Sequence, residues 1–298
     1  MSNKTCIVLS GPTAVGKTAM AIELALHFNT SILSTDSRQC YRELNIGVAK
    51  PDNLQLATVP HHFINSHSIH EEVNAAVFES YGLRVAQEVF RKHDILVVVG
   101  GTGLYTRAFC EGLDPVPAVP ATIREGILHR YEQAGREWLE DAIKKEDPDY
   151  FENGEMKNPR RMLRALEVKR GTGKSIRYFQ QGSHVQRDFN IRHIGLEMER
   201  ALLYSQINKR VDAMLAQGLE AEAGQLYIYK HRPALQTVGY QELFHRMDGL
   251  LSLEQAVEQI KTHTRQYAKR QMTWFKRQFP IHWFMHPFNT EEIVRKCV

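Results

Sequence analysis

Residues Gly11-Pro12-Thr13-Ala14-Val15-Gly16-Lys17-Thr18 (GPTAVGKT) decide the fold. They fit the pattern G-x-x-x-x-G-K-[ST], which chance supplies in roughly one chain in a hundred of this length. The flanks agree with it. Thr5 to Ser10 (TCIVLS) is an apolar run of strand length leading in, and Ala19 to Phe28 (AMAIELALHF) reads as an apolar helix leading out. Glycines let the backbone wrap an anion with its N–H groups, and the helix N-terminus adds the positive end of its dipole. Lys17 supplies a full charge, and the Thr18 hydroxyl is placed to hold Mg²⁺. A phosphate or diphosphate site is therefore expected over 11–18.

The same alternation of strand and helix continues outward. Ser31 to Thr35 (SILST) reads as a second strand, Val73 to Lys92 carries helical periodicity, and Asp94 to Val99 (DILVVV) is a strand apolar on both faces. Such strands belong to parallel sheets covered on both sides by helices. From Leu113 the texture changes: LDPVPAVP holds Pro115, Pro117 and Pro120, which break regular structure. A charged helical stretch follows, and Asn190 to Met198 (NIRHIGLEM) looks like a strand returning to the sheet. Helices then run to a last short strand at Ile281 to Met285 (IHWFM). The expected fold is α/β: a P-loop NTPase-like parallel sheet flanked by helices, with an inserted all-helical domain. Residues 1–112 and 190–298 form the core in this reading, and 113–189 the insertion.

Composition excludes several classes. With 298 residues, 43% hydrophobic and 24% charged, the chain can bury a real core and is not disordered. The longest aliphatic run, Ile95 to Val99, falls far short of the ~20 residues of a membrane helix. The N-terminal apolar stretch is too brief for a secretory signal. Cys6, Cys40, Cys110 and Cys297 show no CxxC spacing, so neither a zinc module nor a disulfide framework is implied, and a cytoplasmic protein is expected. His61, His62, His67 and His70 lie close together but match no standard ligand spacing, and read as loop and packing residues. The net charge is only +4, yet it is unevenly placed. Lys157 to Arg177 holds eight Lys/Arg against Glu167 alone, and Lys261 to Arg277 holds six against no acid. Such clusters bind polyanions or form solvated helix faces.

The loop does not name the reaction. NTP hydrolases usually carry an acid at the end of a second apolar strand. Here DILVVV runs instead into GGTGLY (Gly100 to Tyr105), and Asp36 is the only early carboxylate at a strand end. Ligands of open α/β sheets sit beyond the carboxyl ends of the strands, so Asp36 and Thr102 are both expected to face the phosphate loop. An Asp before Ser is also a common helix cap. A phosphate loop lacking a hydrolase acid suits a diphosphate handled as a leaving group.

Eight motifs then stand in order along the chain: GPTAVGKT, DSRQCY (Asp36 to Tyr41), IGVAKP (Ile46 to Pro51), PHHFIN (Pro60 to Asn65), GGTGLY, NPRRMLRALEV (Asn158 to Val168), QTVGYQE (Gln236 to Glu242) and RQYAKRQMTWFKRQ (Arg265 to Gln278). Together they resemble the tRNA dimethylallyltransferase family in its compact form without a C-terminal zinc finger. Val15, Val48 and Asn65 depart from the family pattern, where Ser, Thr and Asp are common.

The resemblance implies transfer of a dimethylallyl group from dimethylallyl diphosphate to the N6 amine of adenosine 37 beside the tRNA anticodon, releasing diphosphate. Asp36 would be the general base for a weakly nucleophilic amine. Thr13, Lys17, the loop amides and Mg²⁺ on Thr18 would stabilise the departing oxygen. Thr102 would hydrogen-bond near the amine or near the bridging oxygen, and Arg210 resembles a family arginine near the diphosphate. By the same resemblance Asp36, Ser37, Arg38 and Gln39 touch the RNA, as do Thr102 and Arg124. Arg160, Arg161, Met162, Leu163 and Arg164 join them, with Gln236, Thr237, Val238, Gly239, Tyr240 and Gln241. Arg265 and Lys269 on the last long helix add cations beside Tyr267 and Trp274, which suits phosphate contact with base stacking or ordinary core packing. The helical insertion would close over the anticodon arm, and a monomer without membrane contact is expected. A P-loop kinase with a helical lid, an RNA-binding P-loop protein without chemistry, and a relative acting on free AMP are the competing readings.

Overall fold

The computed structural model describes residues 4–182 and 184–297. It divides into two units, residues 1–110 with 186–298, and 111–185. In the first, β1 (Thr5–Ser10) enters the glycine loop and α1 (Lys17–His27) leaves it, followed by β2 (Ile32–Ser34), α2 (Asn53–Thr58), β3 (His61–His62), α3 (Ala75–Phe90), β4 (Ile95–Val99) and α4 (Gly103–Glu111). The second unit holds α5 (Ala121–Glu146), α6 (Pro148–Asn153), α7 (Pro159–Thr172) and α8 (Ile176–Phe179). The chain re-enters the first unit with β5 (Asn190–Glu197), α9 (Arg200–Ala216), α10 (Leu219–Leu226), α11 (Tyr240–Met247), α12 (Leu253–Gln278), β6 (His282–Met285) and α13 (Thr290–Cys297).

The six strands form one sheet in the order β3-β2-β4-β1-β5-β6, every pair parallel. β1 lies between β4 and β5, with Val8 opposite Val98 on one side and His193 on the other. The chain moves away from β1 to one edge and then crosses to the other. That reversal leaves a crevice at the carboxyl end of β1, where the loop over 11–18 begins. Five of the six residues of β1 and the three central residues of β4 are buried, as strands covered on both faces require. Ile7, Leu9, Val97, Ile194 and Leu196 pack with Leu24 of α1, Ile207 of α9 and Phe284 of β6. On the opposite flank Phe78 stacks on Tyr105 with ring centroids 4.8 Å apart, and Phe63 meets Phe78 edge-on at 4.9 Å.

β3 is a two-residue strand, so His61 and His62 form a short sheet edge rather than a loop. No apolar run announces it; its geometry comes from pairing with Ile32 and Leu33 of β2.

The second unit has its own core, in which Leu139, Ile143, Met162, Ala165, Leu166 and Val168 are fully buried. α5 is interrupted at Gly135, and α7 is bounded by the Asn158 side chain accepting from Arg160 N–H and by Gly173 in the left-handed region. Leu166→Ala removes a packed side chain and is expected to cost about 2–5 kcal/mol in urea unfolding. Leu128→Ala, on the exposed side of α5, is expected to cost less than about 1 kcal/mol. Equal losses from the two would contradict the assigned core.

Candidate active site

The glycine loop is shaped by close approach. Gly11 has φ of 151°, and a Cβ there would lie 2.6 Å from the Leu196 carbonyl of β5. Gly16, at φ 101°, opens α1 from the left-handed region. Both demands are met only by residues without a side chain. Val15 turns inward and is 2% exposed, within the sheet's core.

Beyond β1 lies a cavity of about 250 Å³. One part of its wall is basic and polar: Thr13, Ala14, Gly16, Lys17 and Thr18 of the loop, Arg210 of α9, Asp36 and Gln39 after β2, and Gln271 of α12. Another part is apolar: Ile32, Val48, Ala49, Pro51, Ile64 and Val99. A cavity lined by both basic and apolar side chains suits an amphiphile bearing a charged head and a short apolar tail.

Lys17 Nζ donates to the Pro12 carbonyl at 2.6 Å. Burial, with the Arg210 cation adding to it, brings the Lys17 pKa down to about 7, while Asp36 pulls the other way. Burial also lowers the Arg210 pKa. Arg210 Nη1 donates to Thr13 Oγ1 at 3.4 Å, so α9 reaches the glycine loop directly.

Asp36 is half-buried beyond β2. Its Oδ1 accepts from Arg38 N–H at 2.8 Å and Gln39 N–H at 3.3 Å, which makes it the cap of the turn as well as a cavity residue. Oδ2 has no hydrogen-bond partner among the described residues. Thr102 does not line the cavity; its hydroxyl accepts from Ser37 N–H at 3.0 Å and donates to Ser37 Oγ at 3.2 Å, bracing that turn from the loop after β4. Gln39 directs its amide to the carbonyls of Val48 and Ala49, at 3.2 and 3.0 Å.

Several residues expected to touch RNA are engaged inside the protein. Met162 is fully buried in the core of the second unit and Leu163 packs partly buried against it, so the Met162 side chain is not a surface contact. Tyr240 is likewise buried, donating to Glu222 Oε1 at 2.6 Å, and Gly239 beside it is buried. Gln236 Nε2 donates to the Lys230 carbonyl at 2.6 Å and Gln241 Nε2 to Gln236 Oε1 at 2.7 Å, while Thr237 and Val238 are half-buried. On the second unit Arg124 and Arg160 are exposed. Arg161 lies 3.9 Å from Glu155 and Arg164 2.6 Å from Glu167.

The acid-free run Lys261 to Arg277 is charge-compensated at two of its six cations, Lys261 and Lys276, by acids from elsewhere in the chain. Lys261 pairs with Asp212 at 2.8 Å, Lys276 with Glu197 at 2.8 Å, and Arg265 donates to Asn208 Oδ1 at 2.7 Å. Lys269, Arg270 and Arg277 remain exposed. Trp274 packs over Gly103, where a Cβ would lie 2.3 Å from its ring, whereas Tyr267 lines the cavity.

Residues 39–278 match a family model described as IPP transferase. The chain belongs to the IPP transferase family. It is 45% identical over 98% of its length to a protein named tRNA dimethylallyltransferase from Cytophaga hutchinsonii, covering 95% of that chain. A relative from Bacteroides fragilis, named tRNA dimethylallyltransferase 1, is 42% identical over 99% of this chain and 97% of its own. Among solved structures, the tRNA isopentenylpyrophosphate transferase of Bacillus halodurans aligns with a TM-score of 0.71 at 33% identity, covering 98% of this chain and 94% of the other. A eukaryotic dimethylallyltransferase acting on tRNA aligns at 0.75 and 27% identity, over 95% of this chain and 74% of its own. The family is one of prenyl-transferring enzymes, on a P-loop-like parallel sheet.

Sequence reasoning passed over Gln271 and Glu222. Gln271 carried a signal: it is a polar residue on the buried face of α12, in phase with Ala268 and Phe275. Glu222 accepts from the N–H groups of Ile46 and Gly47, at 2.9 and 3.0 Å, and so holds the turn before the cavity's Val48 and Ala49; its partners are remote in sequence.

Because Lys17 titrates near 7, an anion entering the cavity favours its charged form and raises that value. At pH 8 inorganic diphosphate is expected to bind with more proton uptake by the wild type than by Lys17→Met. Calorimetry in buffers of different ionisation enthalpy measures the difference, and identical proton counts would contradict the assignment.

Proposed function

We propose that the protein transfers a dimethylallyl group from dimethylallyl diphosphate to the N6 amine of adenosine 37 in tRNA. The observation that carries this reading is one cavity, in a chain of this family, that joins the phosphate loop, two desolvated cations, an apolar wall and the Asp36 carboxylate. The C1–oxygen bond of the donor breaks, the C1–N6 bond forms, the N6 proton passes to Asp36, and diphosphate leaves. Lys17, Arg210 and the loop N–H groups stabilise charge building on the departing oxygen. The apolar wall of Ile32, Val48, Pro51 and Ile64 receives the prenyl tail and keeps water from the allylic carbon.

Mg²⁺ fits the donors present. Thr18 lines the cavity, and its hydroxyl oxygen with phosphate oxygens and waters makes an ordinary Mg²⁺ environment. Among the described residues no group of three or more His, Cys, Asp or Glu forms a metal cluster, as softer metals would need. Thr18 would hold the ion, which when bound supplies charge neutralisation for the diphosphate.

The acceptor base must leave its stack to reach such a cavity, which costs least in a loop. Thr102 acts through Ser37 to hold the Asp36 turn. On the second unit Arg124, Arg160, Arg161 and Arg164, and on α12 Lys269, are the phosphate contacts for the anticodon arm.

Incubation with labelled dimethylallyl diphosphate, Mg²⁺ and unmodified tRNA, followed by digestion to nucleosides, is expected to put label into adenosine; an unlabelled adenosine fraction would defeat the proposal. Asp36→Ala is expected to lower turnover by about 10²–10⁴-fold with tRNA affinity nearly unchanged. A parallel loss of tRNA binding would mean that Asp36 serves the RNA rather than the proton. Replacing Arg160, Arg161 and Arg164 together is expected to weaken tRNA binding and make its log–log salt slope shallower by about 1–3 units. An unchanged slope rules out their phosphate role.

A further inference from the structure

Gln271 is 5% exposed on α12, and its amide is engaged at both ends. Oε1 accepts from Thr13 N–H at 2.8 Å, and Nε2 donates to the Gly101 carbonyl at 2.9 Å. The orientation of the amide follows from its partners, since one offers only a hydrogen and the other only lone pairs. Thr13 belongs to the phosphate loop and Gly101 to the loop after β4. The next residue, Thr102, holds Ser37 through two hydrogen bonds, and Ser37 follows Asp36. One buried amide thus links the anion cradle to the turn that carries the carboxylate. The fit is close, because a Cβ at Gly101 would lie 2.1 Å from Nε2.

A core-facing position on this helix would ordinarily take an apolar side chain. Burying an amide is costly unless both ends are paired, and here they are. We infer that Gln271 is a positioning residue for the transfer step, fixing the separation between the phosphate loop and the Asp36 turn so that donor carbon and acceptor amine meet at reactive spacing. This rests on the reading of that loop and of Asp36 given under Proposed function. It also assigns Thr13 N–H to Gln271, so Lys17, Arg210 and the other loop amides hold the anion.

The test uses Gln271→Met, which fills the space without either hydrogen bond, Gly101→Ala, which displaces the same link from its other end, and the double variant. Single-turnover transfer at saturating donor and tRNA is measured per folded molecule, beside affinities for inorganic diphosphate and tRNA. Each single variant is expected to slow transfer by about 10²-fold with both affinities within about threefold of wild type. The double variant is expected to be no slower than the worse single one, because both cut one link. Transfer by folded Gln271→Met within about threefold of wild type overturns the inference, as does a loss confined to either affinity or fully multiplicative losses. If Gln271→Met does not fold, Gly101→Ala alone carries the split between rate and affinity. A wild type that transfers no prenyl group removes the proposed function itself, and is recognised before any variant is compared.

Discussion

Two basic side chains share one desolvated cavity. Lys17 and Arg210 come from the two separate chain segments of the first unit, and burial depresses the pKa of each. Like charges drawn out of water destabilise one another unless something answers them. Asp36 answers the Lys17 charge only in part, and on the proposed reading the donor's diphosphate supplies the rest. The rest of the first unit serves that condition. The sheet reverses direction at β1, the loop that follows packs against β5 too closely for any side chain at position 11, α9 brings Arg210 onto Thr13, and α12 inserts Gln271 behind the loop.

Phosphate loops on parallel sheets serve many reactions, so the fold alone does not select one. What narrows the chemistry is the remainder of the wall. On the proposed reading, the apolar residues of the cavity fit a hydrocarbon tail, and Asp36 stands where a proton must leave an incoming amine. The diphosphate is then a leaving group rather than a source of phosphoryl. The turn over 36–39 is held by its own backbone, by Thr102 and by Gln39, so the carboxylate is placed by a rigid support.

The sheet was largely legible because its strands are short apolar runs and its first turn carries a spaced glycine pattern. Both signals are local. Two-residue β3 carries neither, and exists only because β2 offers it an edge. Charge was the least legible feature. The run from Lys261 to Arg277 holds no acid, yet Asp212 and Glu197 reach it from α9 and β5, which no count along the chain detects. Motif strings misled in a related way: Met162 sits beside exposed Arg160 and Arg161 and Tyr240 among half-buried residues, but both side chains turn into cores. Arg210 was reached through family resemblance, because nothing in its own neighbourhood distinguishes it from a surface arginine. Gln271 was readable in principle, as a polar side chain at an apolar phase.

The most direct measurement of the central claim is a crystal structure with Mg²⁺ and the unreactive donor analogue dimethylallyl thiodiphosphate. The account predicts the diphosphate within about 3 Å of Lys17 Nζ and the loop amides, its tail against Ile32 and Ile64, and its allylic carbon facing Asp36. A diphosphate bound away from Lys17, or a tail directed away from the Asp36 carboxylate, would contradict it.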